Sequence, residues 1–377
     1  MLNEGHVLIR DAARAFARGK VKPFAAEWER EGTLPKEVFA EAGALGLMGV
    51  AIPETYGGAE AGATALAVML EEIAAGDASL STALSVHNSL TSAAIGRFGS
   101  EEQKRFWLPK MASGEVLGAF ALTETQAGSD ASAIRCRADK RGNGWRLNGV
   151  KQFVTSGATA GLVLVFAVSD KTAGKKGLSA FLVSPTTPGY RVARVENKLG
   201  QRASDTCQIA LEDVDLPADA LLGREGDGYK IALANLEGGR IGIAAQSVGI
   251  ARAAFEAALA YAKERETFGR KIAEHQAVSF RLADMATEIE AARLLYLNAA
   301  RLREAGTPCL KEASMAKLFA SEMVERVCSA AIQIHGGYGY VSDFPVERLW
   351  RDSRVCQIYE GTSDIQRLVI GRALTGA

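Results

Sequence analysis

The stretch GLVLVFAVSDKTAGKKGLSAFLVSPTTPGYRVARV, residues 161–195, decides the architecture of the chain. It holds three short runs of β-forming residues, Leu162–Val168, Leu178–Val183 and Tyr190–Val195, parted by turn clusters such as Pro185-Thr-Thr-Pro-Gly189. Trp145–Leu147 and Cys207–Leu211 extend the series on either side, with Arg141-Gly-Asn-Gly144 as another turn. Strand follows strand with no helical periodicity between them, which predicts an antiparallel sheet from about Gly118 to Gly228 and argues against βαβ units. The longest strongly apolar run, Leu162–Val168, is seven residues long. It reads as a buried strand, well short of the ~20 residues that span a bilayer.

On both flanks the texture turns helical. TLPKEVFAEAGALGLMG puts Pro35 near a helix start, and Ser100 with Gln103 makes a capping-box pattern in SEEQKRFWLPKMASG. Ala65–Ala75 and Leu80–Phe98 read as half-buried helices. Downstream, Val278, Leu282, Met285, Ile289, Ala292 and Tyr296 recur at steps of four and three, one stripe along a long helix closed by Gly306-Thr-Pro308. An Ala-rich helix over Leu310–His335 ends at Gly336-Gly337. The expected organisation is multidomain α+β: a helical domain over 1–118, a β domain over 119–228 and a helical bundle over 229–377.

The balance of 44 basic and 44 acidic residues leaves no global field for nucleic acid or an acidic membrane. Five scattered cysteines without CxxC are expected as reduced, mostly buried thiols. MLNEGHVLIRDAARAFARGK has no secretory pattern, so a soluble cytoplasmic protein is expected. The four histidines lack metal-ligand spacing, and no metal site is expected. In Gly337-Tyr-Gly339-Tyr340-Val341-Ser342 the third glycine of GxGxxG is missing and a helix precedes it, so the dinucleotide reading falls. GxxxxGK[ST], HExxH and GxSxG do not occur.

Four stretches carry chemistry. FALTETQAGSD, Phe120–Asp130, sets hydroxyls beside a small Ala127-Gly128 corner; a surface turn is the alternative. Phe153-Val-Thr155-Ser156 puts an aromatic and two hydroxyls at a strand end, or is simply core edge. GRIGIAAQSVGIARAA followed by YAKERETFGRKIAEHQA offers Arg265, Thr267 and Phe268 at a break, where an anion clamp competes with a helix–helix corner. QIHGGYGYVSDFPVERLWRD runs into QIYEGTSDIQR, which sets Glu360 between Tyr359 and Gly361. An acid ion-paired with Arg354 or Arg367 is the alternative there, while Glu347/Arg351 and Arg348/Asp352 read as ordinary i,i+4 pairs.

In this order and spacing the stretches closely resemble the acyl-CoA dehydrogenase family over nearly the whole chain, and SVHNSL, KLGQRASDT and GRIGIAAQ look most like its short-chain branch. The resemblance implies FAD-dependent α,β-dehydrogenation of an acyl-CoA to the trans-2-enoyl-CoA, for a short or short branched acyl group. Glu360 matches the base that removes the α-proton. Phe120, Leu122, Thr123, Gly128, Ser129, Phe153 and Thr155 match residues around the flavin ring. Arg265, Phe268, Gln276, Gln333, Gly336 and Gly337 match the pyrophosphate and adenine side across a subunit boundary, and Thr362 and Asp364 a further flavin contact. Ser129, Glu237, Arg240, Tyr359 and Gly361 match contacts to the acyl-CoA. Phe153 replaces a frequent Trp, and Glu237 a frequent Asp. The family also implies a homotetramer built as a dimer of dimers and an electron-transferring flavoprotein as partner. An acyl-CoA oxidase, a flavin-dependent relative acting on something other than acyl-CoA and a non-catalytic helical scaffold are the rival readings; Glu360 speaks against the second, and the intact set of Glu360, Ser129 and Arg265 against the scaffold. His87, near the expected pocket floor Leu84–Leu90, is expected to face the bulk protein.

Overall fold

The structure is a computed structural model describing residues 2–376. The first helical zone comprises α1 (Glu4–Phe16), α2 (Ala25–Glu31), α3 (Lys36–Ala44), α4 (Gly62–Gly76), α5 (Ala78–Ser85), α6 (Ala93–Phe98) and α7 (Glu101–Ala112). Ser100 and Gln103 do form the reciprocal capping box that opens α7. Between α5 and α6 the helix loosens into a π-helical segment, Val86–Ser92. His87 and Asn88 reach out of it to the carbonyls of Met48 and Leu47, at 3.0 and 3.2 Å, and so tie this segment to the loop after α3. The other imidazole nitrogen of His87 accepts from the Gly118 N–H at 3.0 Å. His87 is thus a buried, neutral strut facing protein, and desolvation pulls its pKa down to about 4.

The middle zone holds β1 (Gly118–Ala121), β2 (Arg137–Arg141), β3 (Gly144–Thr155), β4 (Leu162–Val168), β5 (Leu178–Val183), β6 (Tyr190–Val195), β7 (Thr206–Leu216) and β8 (Leu221–Leu222). The sheet runs β6-β7-β3-β2-β4-β5-β8, with β1 beside β4. It is mixed rather than purely antiparallel: β1 and β2 both pair with β4 in parallel. The β2–β3 hairpin lies between β1 and β4 in sequence, giving a connection long enough to bring the chain back in the same direction. Helical periodicity is absent from that connection, which is why alternation alone pointed to an all-antiparallel arrangement.

The last zone contains α8 (Gly228–Glu264), the two-residue strands β9 (Glu266–Thr267) and β10 (Arg270–Lys271), α9 (Gln276–Glu304), α10 (Leu310–His335), α11 (Val346–Ser353) and α12 (Ser363–Thr375). The stripe on α9 is buried from Leu282 through Tyr296, with Val278 half-buried at its start. No described helix is long and apolar enough to cross a membrane. The two helical zones bury one common core, in which Met69, Leu70 and Ile73 of α4 pack with Ile243, Val248 and Ala251 of α8 and with Ile289 and Tyr296 of α9. Ion pairs stitch the same faces: Glu71 accepts from Arg293 at 2.9 Å, and Glu72 from Arg14 and Arg252, each at 2.7 Å. All five cysteines are buried and unbridged.

Candidate active site

Helix α11 ends in a short 3-10 turn, Arg354–Gln357, and the chain then passes Glu360 before α12 begins. Glu360 and Gly361 are both left-handed, at φ 54° and 87°. For a glutamate that backbone is uncommon, and the turn aims its carboxylate back at α8. There it meets Gly239, where a Cβ would stand 2.6 Å from Glu360 Oε2. A side chain at that position would push the carboxylate aside. Oε2 is out of reach of solvent and of every hydrogen-bond donor among the described residues.

This unpaired acid is not neutralised by its sequence neighbours. Arg367 pairs with Glu322 at 2.6 Å and Arg354 lies 3.9 Å from Glu325, so neither candidate partner holds Glu360. Burial pushes the Glu360 carboxyl up to about 7, while the nearby charges of Arg240 and Lys317 pull in the opposite direction. Arg240 is itself buried and reaches Ser314 at 3.4 Å, with its Nε unpartnered. Desolvation lowers its pKa; the facing carboxylates of Glu360 and Glu237 oppose that shift. Glu237, half-buried one turn earlier on α8, is held by Arg303 at 3.0 Å and by the Cys309 thiol.

The turn is clamped from below. Gln366 Nε2 donates to the carbonyls of Glu360 and Gly361, at 3.1 and 2.8 Å. Lys317 Nζ donates to the Gly361 carbonyl at 2.7 Å. Among the described residues, the backbone N–H of Glu360 finds no acceptor. Tyr359 points away from the carboxylate into a polar chain: its oxygen accepts from Gln201 at 3.3 Å and lies 3.4 Å from Thr82, which takes a hydrogen bond from Gln246 at 2.7 Å. Gln201 also donates its backbone N–H to Asp352. Asp352 therefore does not form the expected i,i+4 pair with Arg348. It is turned inward, and burial lifts it to about 7. The Glu347–Arg351 pair does form, at 2.7 Å.

A second group of sequence-selected residues lies on the sheet. The segment after β1 runs along β3: Gln152 N–H donates to the Thr123 carbonyl at 2.8 Å, and Lys151 Nζ to the Leu122 carbonyl at 3.1 Å. Lys151 and Glu124 make a buried ion pair at 2.7 Å, and Glu124 also accepts the N–H groups of Arg135 and Cys136. The Leu122 side chain is core, so only its backbone is left to offer. Phe120 packs on Phe166, with ring centroids 4.8 Å apart.

Phe153 sits where the pairing of β3 with β7 slips, between Lys151 and Val154. Its backbone is left-handed at φ 55°, and 63% of its surface is exposed. Bulges of this kind re-aim a side chain. An apolar ring held in the open, on a strand that carries half-buried Thr155 and whose Gln152 is bonded to Thr123 of the segment that also carries exposed Gly128 and Ser129, suits the face of a planar aromatic cofactor, so the residues present fit FAD.

The third group is apart from these. Arg265, Gly336 and Gly337 line a cleft of about 480 Å³ with Tyr261, Ile334 and Tyr338. Gln333 lines a different one with Arg281 and Trp350. Phe268 is 98% exposed at the β9–β10 turn; Gln276 opens α9 and is also exposed. Within one chain these residues are not gathered into a single site. Thr362 is spent capping α12, accepting the Ile365 N–H at 3.3 Å, and Asp364 is an exposed first-turn residue. Sequence reasoning missed Lys317, Gln366, Arg303, Gln201 and the Lys151–Glu124 pair. Lys317 had one visible signal, a lysine on the buried face of α10 defined by Ala313, Ala316, Ala320 and Val324.

Comparison with known proteins accords with this layout. Family models match residues 3–115 as the acyl-CoA dehydrogenase N-terminal domain, 119–214 as its middle domain and 226–375 as its C-terminal domain. An acyl-CoA dehydrogenase of Bacillus subtilis is 48% identical over 375 residues, covering 100% of this chain and 99% of its own. Butyryl-CoA dehydrogenase from Megasphaera elsdenii superimposes with a TM-score of 0.97 at 40% identity, covering 99% of both chains. A chain solved in work on the electron transferring flavoprotein of Acidaminococcus fermentans and flavin-based electron bifurcation gives 0.98 at 43% identity, covering 100% of this chain and 99% of its own. The chain belongs to the acyl-CoA dehydrogenase family of flavin oxidoreductases.

Proposed function

We propose that the chain oxidises a short-chain acyl-CoA, butyryl-CoA or a short branched relative, to the trans-2-enoyl-CoA, with Glu360 as the base. The observation that carries this reading is the carboxylate of half-buried Glu360, its Oε2 out of reach of solvent, unpaired and pressed against Gly239. A carboxylate so desolvated is a stronger base than a solvated one, and its pKa of about 7 suits proton abstraction near neutrality. The unpartnered Glu360 N–H is available to the thioester oxygen, where negative charge builds as the α-proton leaves. Arg240 stands beside the base as a desolvated cation and tempers the rise of its pKa.

Phe120–Ser129 and the exposed Phe153 ring would hold the flavin ring of FAD. Bound FAD supplies the acceptor for the β-hydride. Arg265, Phe268, Gln276, Gln333, Gly336 and Gly337 would serve its pyrophosphate and adenine from neighbouring subunits of a tetramer, a reading supported by how widely one chain scatters them. The short-chain assignment is supported by the likeness to butyryl-CoA dehydrogenase. An electron-transferring flavoprotein as electron acceptor is supported by the Acidaminococcus neighbour. Five unbridged buried thiols suit a reducing, cytoplasmic setting.

The test is anaerobic addition of butyryl-CoA to the purified yellow protein. Bleaching of the flavin band is expected, and Glu360→Gln should bind FAD yet lose at least ~10²-fold in turnover, the low end for general base catalysis. Full turnover by that variant would overturn the base assignment. Bleaching by longer or polar acyl-CoAs alone would overturn the short-chain one.

A further inference from the structure

Lys317 is fully buried on α10, where its neighbours on the same face are Ala313, Ala316, Ala320 and Ser321. Burying an ammonium is costly unless it is well partnered, yet no described carboxylate forms an ion pair with it. Its hydrogen-bond partner is the Gly361 carbonyl, at 2.7 Å, the peptide that follows Glu360. Four charged or titratable groups face it: Cys356 from the 3-10 turn, Glu360, Arg240 from α8, and Glu322 on its own helix. Glu322 is engaged by Arg367 at 2.6 Å, Cys356 is a buried thiol and Arg240 is a cation. Glu360 is therefore the anion left for Lys317 to balance.

We propose that Lys317 is a positioning residue for Glu360, fixing the Glu360–Gly361 turn through the Gly361 carbonyl and holding the base ionised in a desolvated pocket. The inference rests on Glu360 being the base. Two rigid helices share the work: Gln366 on α12 ties both carbonyls of the turn, and Lys317 on α10 ties the second. With both carbonyls so held, the left-handed backbone at Glu360 persists and its N–H stays without a protein acceptor. Burial brings Lys317 down to about 8, so it remains charged across the neutral range in which the base titrates and loses that charge above it.

The experiment compares the FAD-loaded parent with Lys317→Met, Lys317→Gln and Lys317→Arg in anaerobic turnover of the acyl-CoA that bleaches the parent. In Lys317→Met the acidic limb of the kcat–pH profile should move up by roughly one unit, the low end for an opposite charge within ~4–6 Å. kcat should fall and KM change little, and Lys317→Arg should restore the limb. If the Met variant yields no folded flavoprotein, Gln and Arg decide: the limb moves in Gln, which lacks the charge, and stays in Arg. A readout independent of turnover is the rise in Tm on adding Glu360→Gln, which should be larger in the Lys317→Met background. An unmoved limb in a folded, yellow Met or Gln variant overturns the proposal. If Glu360→Gln itself keeps full turnover, the base assignment fails instead, and the two failures are thereby told apart.

Discussion

Replacing Glu360 by Gln should stabilise the protein, and by an amount that depends on pH. The folded carboxyl is raised from 4.5 to about 7, so between those values the folded state holds a proton that the unfolded state has released. Stability therefore falls as pH rises through that window, and the full penalty is present above it. At ~1.36 kcal/mol per unit the shift corresponds to about 3 kcal/mol; residual solvent contact of the residue discounts this to roughly 1–3 kcal/mol. A glutamine has nothing to ionise and escapes the penalty. For a chain of this length one kcal/mol is worth about 1 °C in Tm, so the variant should melt within error of the parent at pH 5 and roughly 1–3 °C above it at pH 8. Differential scanning fluorimetry at matched ionic strength measures both. A difference that is constant with pH, or that shrinks toward pH 8, would refute the claim that the base is held in a desolvated pocket.

Two further substitutions probe the supports of the site. Gly239→Ala puts a methyl group 2.6 Å from Glu360 Oε2 and should displace the carboxylate, costing on the order of 10²-fold in turnover as for other misplacements of about 1 Å. Flavin content should be unchanged, and wild-type kcat would contradict the geometry. Lys151→Met leaves Glu124 buried without its cation and should cost roughly 3–5 kcal/mol of stability. The measured signs would be a lowered Tm and weaker FAD retention on dialysis, because the pair joins the two segments proposed to flank the flavin; an unchanged Tm would count against it.

Much of the fold was legible because burial imposes period. The boundaries of β4, β5 and β6 coincide with the runs read from their β-forming residues, and the α9 stripe is buried along its length from Leu282. Parallel pairing of β1 and β2 with β4 was not legible, since alternation reports which face is buried and says nothing of a neighbour's direction. In the site, Glu360 and Gly361 stood out by their local chemistry. Lys317 and Gln201 act through hydrogen bonds to segments distant in sequence, 44 positions away for Lys317 and 158 for the Gln201–Tyr359 contact, so no local pattern marks them; Gln366 reaches back only five and six positions, but across a left-handed turn that no helical period describes. Asp352 misled for a related reason: helical spacing offered it Arg348, while a backbone N–H from another zone claimed it.

The shared core of the two helical zones bears on how the chain is made. Glu71 and its partner Arg293 are separated by 222 positions. At ~5–20 residues per second, a ribosome needs roughly 10–45 s to deliver the second after the first. For most of that interval, until α8 is made, the apolar faces of α4 and α5 have emerged without the helices that cover them. A nascent chain in that condition is a client for holdase chaperones, and a message truncated before α8 should yield an insoluble product, even though the sheet that precedes the break is complete.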